Sequence, residues 1–223
     1  MIWAGRVTVD GEPCRSIDRR LEPSVHDIAV NGVSVRYQEH LYIMMNKPQG
    51  VVSASRDPRA KTVIDLLPSS LRRRGLFPAG RLDRDTTGLL IITDDGSFGH
   101  AVTSPGRKVF KTYRVTLDGC LSEEAAERLR EGAAIDGGEQ CLPAQIQVVD
   151  AARAVYLFRI REGKYHQIKR MAQAVGRSVE ALERVAVGSL LLDPALAPGE
   201  ARELTEEEKN LPLLETPDSP VDL

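Results

Sequence analysis

The uninterrupted apolar run Leu89-Leu90-Ile91-Ile92-Thr93 constrains the fold of this chain more than any other feature. A short, continuously apolar segment suits a strand in the middle of a sheet that is covered on both faces. Directly before it stands the polar turn Gly80-Arg81-Leu82-Asp83-Arg84-Asp85-Thr86-Thr87-Gly88, which carries two carboxylates. A loop fixed at the end of a central strand is held still by the sheet, so it is a common place for catalytic groups. Spacing alone leaves a plainer reading open, in which Asp85 and the threonines are turn or capping residues paired with Arg81 and Arg84.

Further elements follow from the pattern. Residues 41–45 (LYIMM) predict a strand that ends in Asn46-Lys47-Pro48-Gln49-Gly50. Residues 112–117 alternate, with Tyr113, Val115 and Leu117 on one face and Thr112, Arg114 and Thr116 on the other. Ser122 before Glu123 and Glu124 predicts a capped helix running towards Gly132. Residues 155–160 read as a strand. Residues 165–175 read as a helix closed by Gly176, with Ile168, Met171, Ala172 and Val175 as its buried stripe. Strands and helices mixed without regular βαβ alternation predict an α+β fold. Ahead of this domain, Asp10-Gly11 and Asn31-Gly32 lie between short apolar runs and signal two hairpins, the second continuing into Val33-Ser34-Val35. Residues 1–39 are too few to bury a core of their own, and residues 36–40 read as a polar linker. The expected division is therefore 1–39, a main domain over 41–209, and an acidic, flexible tail over 210–223.

Composition narrows the class. Hydrophobic residues make up 42% and charged residues 28%, as in ordinary soluble globular proteins. No apolar run approaches the ~20 residues that span a bilayer, and the first residues lack the pattern of a secretory signal. Cys14, Cys120 and Cys141 show no CxxC or Cys/His spacing, which disfavours disulfides and zinc alike. The expectation is a reduced, cytoplasmic, monomeric protein with no membrane partner and no metal. The net charge of −2 argues at first against nucleic acid. Eight of the 32 acidic residues and two of the 30 basic ones lie from Glu200 onwards, which leaves the rest of the chain at about +4. That balance is compatible with RNA without requiring it.

One competing motif needs weighing. Asp83-Arg84-Asp85-Thr86-Thr87 fits the DxDxT pattern of aspartate-based phosphotransferases of the haloacid-dehalogenase type. Those aspartates end an apolar strand, whereas here Pro78 and Gly80 precede the motif and the apolar strand follows it. The phosphotransferase reading is weak for that reason.

Taken in order, the blocks MNKPQGVVS, AGRLDRDTTGLLIITDDG, HAVTSP, KTYRV, EGKYHQIKRM and LAPGEARELTEEE resemble the RsuA-like family of ribosomal RNA pseudouridine synthases over residues 41–208. The resemblance implies a pseudouridine synthase fold with a mixed, largely antiparallel central sheet, ribosomal RNA or a ribosomal subunit precursor as partner, and no cofactor. It implies that Asp83 is the catalytic aspartate, Tyr113 the aromatic that stacks on the target base, and Lys169 the basic partner of the aspartate. Leu182 matches the apolar residue beside the pocket, and Arg81 the loop arginine near the flipped nucleotide. Isomerising uridine breaks the bond from ribose C1′ to N1, turns the base and rejoins it through C5, so no redox or group-transfer cofactor is needed. A carboxylate can attack C1′ or remove the C2′ proton; either role needs it ionised, a form that a nearby cation favours. His166 and His100 are left as structural or RNA-contacting residues, since nothing in the sequence pairs them. Residues 4–32 resemble the second half of an S-four-like RNA-binding domain, without its two leading helices, and Arg6, Arg15, Arg19 and Arg20 are its candidates for phosphate contacts. The resemblance implies lower RNA affinity than in relatives with the whole domain. Small-subunit RNA is slightly favoured as substrate; the alternative from another class is a non-catalytic RNA-binding assembly factor.

Overall fold

The computed structural model describes residues 1–22, 25–34, 38–107 and 109–214. It divides into two compact units, Met1–His40 and Leu41–Leu223. In the first, β1 (Val7–Val9), β2 (Glu12–Pro13), β3 (Ile28–Val30) and β4 (Val33–Ser34) form a sheet in the order β2-β1-β3-β4. Both hairpins turn on the expected dipeptides. Asp10 and Gly11 have φ of 53° and 83°, and Asn31 and Gly32 have 53° and 78°, the left-handed pair that a tight hairpin requires. Only Val9, Cys14 and Ala29 are buried among the described apolar residues of this unit, in keeping with its size. Val35, expected to extend the second hairpin, and the linker residues Arg36 and Tyr37 lie outside the described residues.

The second unit is built on β5 (Tyr42–Lys47), β6 (Phe77–Pro78), β7 (Thr87–Thr93), β8 (Lys111–Leu117), β9 (Ala134–Ile135), β10 (Glu139–Gln140), β11 (Gln145–Asp150), β12 (Val155–Ile160), β13 (Val179–Val187), β14 (Leu190–Leu191) and β15 (Ala201–Glu203). Its helices are α1 (Gly96–Thr103), α2 (Glu123–Glu131) and α3 (Gln167–Ala174). The main sheet runs β11-β12-β8-β13-β7-β5-β15, with β14 beside β13 and β6 beside β7. β13 and β7 pair in parallel, with Glu183 opposite Thr87 and Arg184 opposite Gly88. The other ladders of this sheet are antiparallel. The sheet is thus mixed and largely antiparallel.

β7 is central and covered on both faces. Leu90 and Ile92 join one cluster with Ile43, Met45, Val63 and Leu67. Leu89 and Ile91 join another with Met44, Phe98, Val102 and Leu190. A third cluster gathers Val115, Leu129, Phe158, Ile168 and Met171 beneath α2 and α3. Ser122 caps α2 by accepting from the Ala125 amide at 3.1 Å, and Gly132 closes it at φ 99°.

Several expectations change. β5 runs on through Asn46 and Lys47, and Lys47 is wholly buried. α3 begins at Gln167 rather than at Tyr165, because His166 takes up a left-handed conformation (φ 49°, ψ 34°) that a helix cannot contain. Residues Glu208–Leu213 form a 3-10 segment whose apolar side chains pack against the main unit instead of extending into solvent. Pro212 is buried, Leu211 and Leu213 pack on the cluster around Phe98, and the Ser189 amide donates to the Leu211 carbonyl at 2.9 Å. Leu211-Pro212-Leu213 is an apolar trio inside an acidic segment, and composition averages it away. Residues 215–223 of the expected tail lie outside the described residues.

Candidate active site

The loop before β7 is clamped by the segment that follows β5. Ser53 Oγ donates to the Leu82 carbonyl at 2.9 Å and accepts from the Leu82 amide at 3.1 Å. The Gly50 amide donates to the Arg84 carbonyl at 2.8 Å, and Arg84 Nε donates back to the Gly50 carbonyl at 3.0 Å. Buried Lys47 donates to the carbonyls of Thr86 at 2.8 Å, Pro48 at 3.1 Å and Arg84 at 3.4 Å. Burial draws its pKa down to about 8, so near neutral pH it remains mostly an ammonium whose donors meet backbone oxygens. The block NKPQGVVS therefore holds the loop that carries the aspartates.

Asp83 lines a hollow of about 80 Å³ together with Arg81, Tyr113, Ile168 and Leu182. On its other side it lines a more open cleft with Asp85, His166 and Lys169. Lys169 Nζ lies 3.2 Å from Asp83 Oδ2 and 2.6 and 2.9 Å from the two oxygens of Asp85. The ammonium therefore bridges both aspartates and lies closer to Asp85. Asp85 pairs with this lysine, and not with Arg81 or Arg84 as the plainer turn reading would have it. The hydrogen bond from Lys169 holds the Asp85 carboxyl below the usual carboxylate range. Burial pulls the Lys169 ammonium down, but the hydrogen bonds to Asp85 and Asp83 outweigh it and raise the group above the ordinary lysine value.

Tyr113 is half-buried against two of the apolar clusters, which fixes its ring beside the hollow. Leu182, on β13, packs on the cluster under α3, and Thr87 Oγ1 donates to its carbonyl at 3.4 Å. Arg81 is exposed at the rim. Asp83, Tyr113, Leu182 and Arg81 thus come together around one hollow, with Lys169 behind the carboxylate. His166, unassigned from sequence, joins them: its Nε2 is 3.6 Å from Asp83 Oδ1, and its ring stacks on exposed Tyr165 with centroids 3.8 Å apart. The signal that could have found it is the left-handed turn before α3, which sequence periodicity does not reveal. No group of three or more metal-ligating side chains occurs among the described residues. No helix of the described residues is long and apolar enough to cross a membrane.

Comparison with known proteins agrees with this geometry. Residues 41–174 match the family model for RNA pseudouridylate synthase. The chain is 47% identical over 213 residues to an uncharacterized RNA pseudouridine synthase of Bacillus subtilis, covering 95% of this chain and 89% of that one. It is 43% identical over 209 residues to the ribosomal small subunit pseudouridine synthase A of Escherichia coli K12, covering 93% and 89%. A crystal structure of a pseudouridylate synthase superposes with a TM-score of 0.73 at 35% identity, covering 96% of this chain and 90% of that one. The chain belongs to the RsuA-like family of RNA pseudouridine synthases.

Proposed function

We propose that this enzyme isomerises a uridine of small-subunit ribosomal RNA, in the cytoplasm, with Asp83 as the carboxylate that acts on the ribose. The observation that carries the reading is the placement of Asp83 between Lys169 and the hollow walled by Tyr113, Leu182 and Arg81. The RNA class rests on the name of the Escherichia coli relative. A base taken out of its stack needs a flat wall and an apolar one, and Tyr113 and Leu182 supply them. Asp83 then attacks C1′, or takes the C2′ proton, as the bond from C1′ to N1 breaks. The freed base turns and bonds to C1′ through C5, displacing the carboxylate from C1′ in the first route, or with Asp83 returning the proton to C2′ in the second. The C5 proton leaves, with the Tyr113 phenol placed to assist, and N1 ends protonated. Lys169 keeps a positive charge beside the carboxylate throughout. Arg81, exposed at the rim of the hollow, is the arginine that would lie near the flipped nucleotide. In the N-terminal unit, Arg6, Arg15, Arg19 and Arg20 are all exposed and available to phosphates.

The test is pseudouridine formation on unmodified small-subunit ribosomal RNA. Asp83→Asn is expected to lower the rate by at least about 10³-fold while RNA binding persists. A variant as fast as the wild type would remove Asp83 from this role.

A further inference from the structure

Beside the hollow that Asp83 lines lies a larger cavity of about 540 Å³, to which the chemistry above assigns nothing. The two share Arg81, Tyr113 and Gly163 as lining residues. The walls of the larger one are strongly basic. Lys111 comes from the start of β8, Arg184 from β13, Arg161 from the residue after β12 and Arg81 from the aspartate loop, and His100 adds a fifth nitrogen base. Its one acidic lining residue, Glu162, is already engaged: it accepts from Gln167 Nε2 at 2.6 Å and from the Leu142 amide at 2.8 Å, and lies 3.7 Å from Lys164 Nζ.

Two of these cations are held in a way that the protein alone does not account for. Arg184 is only 4% exposed. Its Nε donates to the Leu89 carbonyl at 2.7 Å, while Nη2 is buried with no partner. A charged guanidinium left partly unsatisfied in a protein interior is costly unless something completes it. The Lys111 side chain makes no hydrogen bond or ion pair among the described residues. Burial and the neighbouring Arg184 draw its pKa down to about 8, as expected of a cation without a counter-charge. An anion in the cavity would supply the counter-charge that the Lys111 ammonium lacks. It would also offset the desolvated charge of Arg184, which lines the same wall although Nη2 itself is out of contact with solvent.

We infer that this cavity is a phosphate subsite, in which Lys111 and Arg184 bind a backbone phosphate of the substrate RNA next to the uridine held at Tyr113. The inference rests on the reading that the hollow at Asp83 receives the target nucleotide. Register supports the assignment. Tyr113 and Lys111 are two residues apart on one face of β8, about 7 Å along the strand. Arg184 is the direct cross-strand partner of Tyr113. A base against the tyrosine therefore carries its sugar–phosphate chain past the lysine. A phosphate there fixes the ribose relative to Asp83 without contacting any reacting bond, so Lys111 is a positioning residue.

The experiment measures Kd and initial rates on unmodified small-subunit ribosomal RNA for wild type, Lys111→Gln and Lys111→Arg, across a range of salt. Lys111→Gln is expected to weaken binding about tenfold and to flatten the slope of log K against log salt by about 0.7, and to lower kcat several-fold because the ribose is no longer fixed relative to Asp83. Lys111→Arg, which keeps the charge, should recover most of the affinity, and thermal unfolding of each variant shows that both are folded. Phosphate-ethylation interference then locates the contact. Ethylating a phosphate adjacent to the isomerised uridine should weaken binding by wild type but not by Lys111→Gln. An unchanged Kd for Lys111→Gln, or an interference pattern identical to wild type, overturns the proposal. Inorganic phosphate that occupies the cavity of the wild type without competing with RNA also overturns it, by making the site one for a free anion. Because Kd and interference need no turnover, an active Asp83→Asn variant would sink the catalytic assignment and leave this result standing.

Discussion

At the residue scale, the shared ammonium of Lys169 and the stacked pair Tyr165–His166 define the open side of the site. A lysine between two carboxylates keeps both charged groups in place before any substrate arrives, and its shorter contacts to Asp85 leave Asp83 free to turn towards the hollow. His166 adds a second nitrogen base to the carboxylate's surroundings, held there by a left-handed backbone that costs on the order of 1 kcal/mol or more for a residue other than glycine. Tyr165 covers one face of the imidazole and is itself 76% exposed. An aromatic ring that exposed, beside the hollow proposed for the target base, is a platform on which a neighbouring base can stack. Tyr165→Ala is expected to weaken RNA binding by roughly 1–3 kcal/mol and to leave the unfolding midpoint unchanged. An RNA Kd equal to wild type would reduce Tyr165 to a cover for His166.

At the scale of elements, the parallel pair β7–β13 sets the distance between the aspartate loop and Leu182, and Gly88 is the position that permits it. Its φ is +95°, and a Cβ there would stand 2.3 Å from the Arg184 carbonyl oxygen and 2.9 Å from the Arg184 nitrogen. Backbone on the receiving side cannot swing away as a side chain can. Gly88→Ala is expected to cost more than about 2 kcal/mol from strain and overlap combined, read by chemical denaturation, and to slow the reaction by misplacing the loop. This strand pair also shows where sequence stops being informative. Leu89 to Thr93 could be read as a central strand because its burial on both faces leaves a continuous apolar run. β13 could not: VEALERVAV opens with residues that favour helices, and only pairing with β8 and β7 makes it extended. α1 was equally hidden, since GSFGHAVT contains two glycines and gains its start from Asp95, which accepts from the amides of Ser97 and Phe98. The site divides in the same way. Asp83, Tyr113 and Lys169 lie inside motifs, and so does His166, whose role the block alone did not disclose; the cavity cations Arg161 and Arg184 meet only through the register of strands distant in sequence.

At the scale of the whole molecule, the two lysines with depressed pKa values govern how stability responds to alkaline pH. Lys47 and Lys111 each fall from 10.5 to about 8 in the folded chain. Between about pH 8 and 10.5 the unfolded chain therefore binds more protons than the folded one, so unfolding free energy rises with pH through that window. Cys141 acts in the opposite sense, because burial raises its thiol above 9.0 and the unfolded chain releases that proton first. Two lysines with large shifts outweigh one thiol. Lys169 and Lys164, both raised above 10.5, hold stability below that pH and lose it above. On the acid side, Asp85, Asp193 and Glu208 are held below their ordinary values, so their contribution is present above about pH 4 and lost as pH falls further. Guanidinium denaturation at pH 7.5 and pH 10 should thus show the protein more stable at the higher pH, by an amount on the order of 2 kcal/mol for fully buried Lys47 and less for half-buried Lys111. Lys111→Gln should reduce that rise without abolishing it. Lys47→Met should reduce it further and lower stability at both pH values, because the carbonyls of Pro48, Arg84 and Thr86 lose their donor. A wild-type profile that is flat or falling across this window would mean that Lys47 and Lys111 are not desolvated enough to outweigh Cys141.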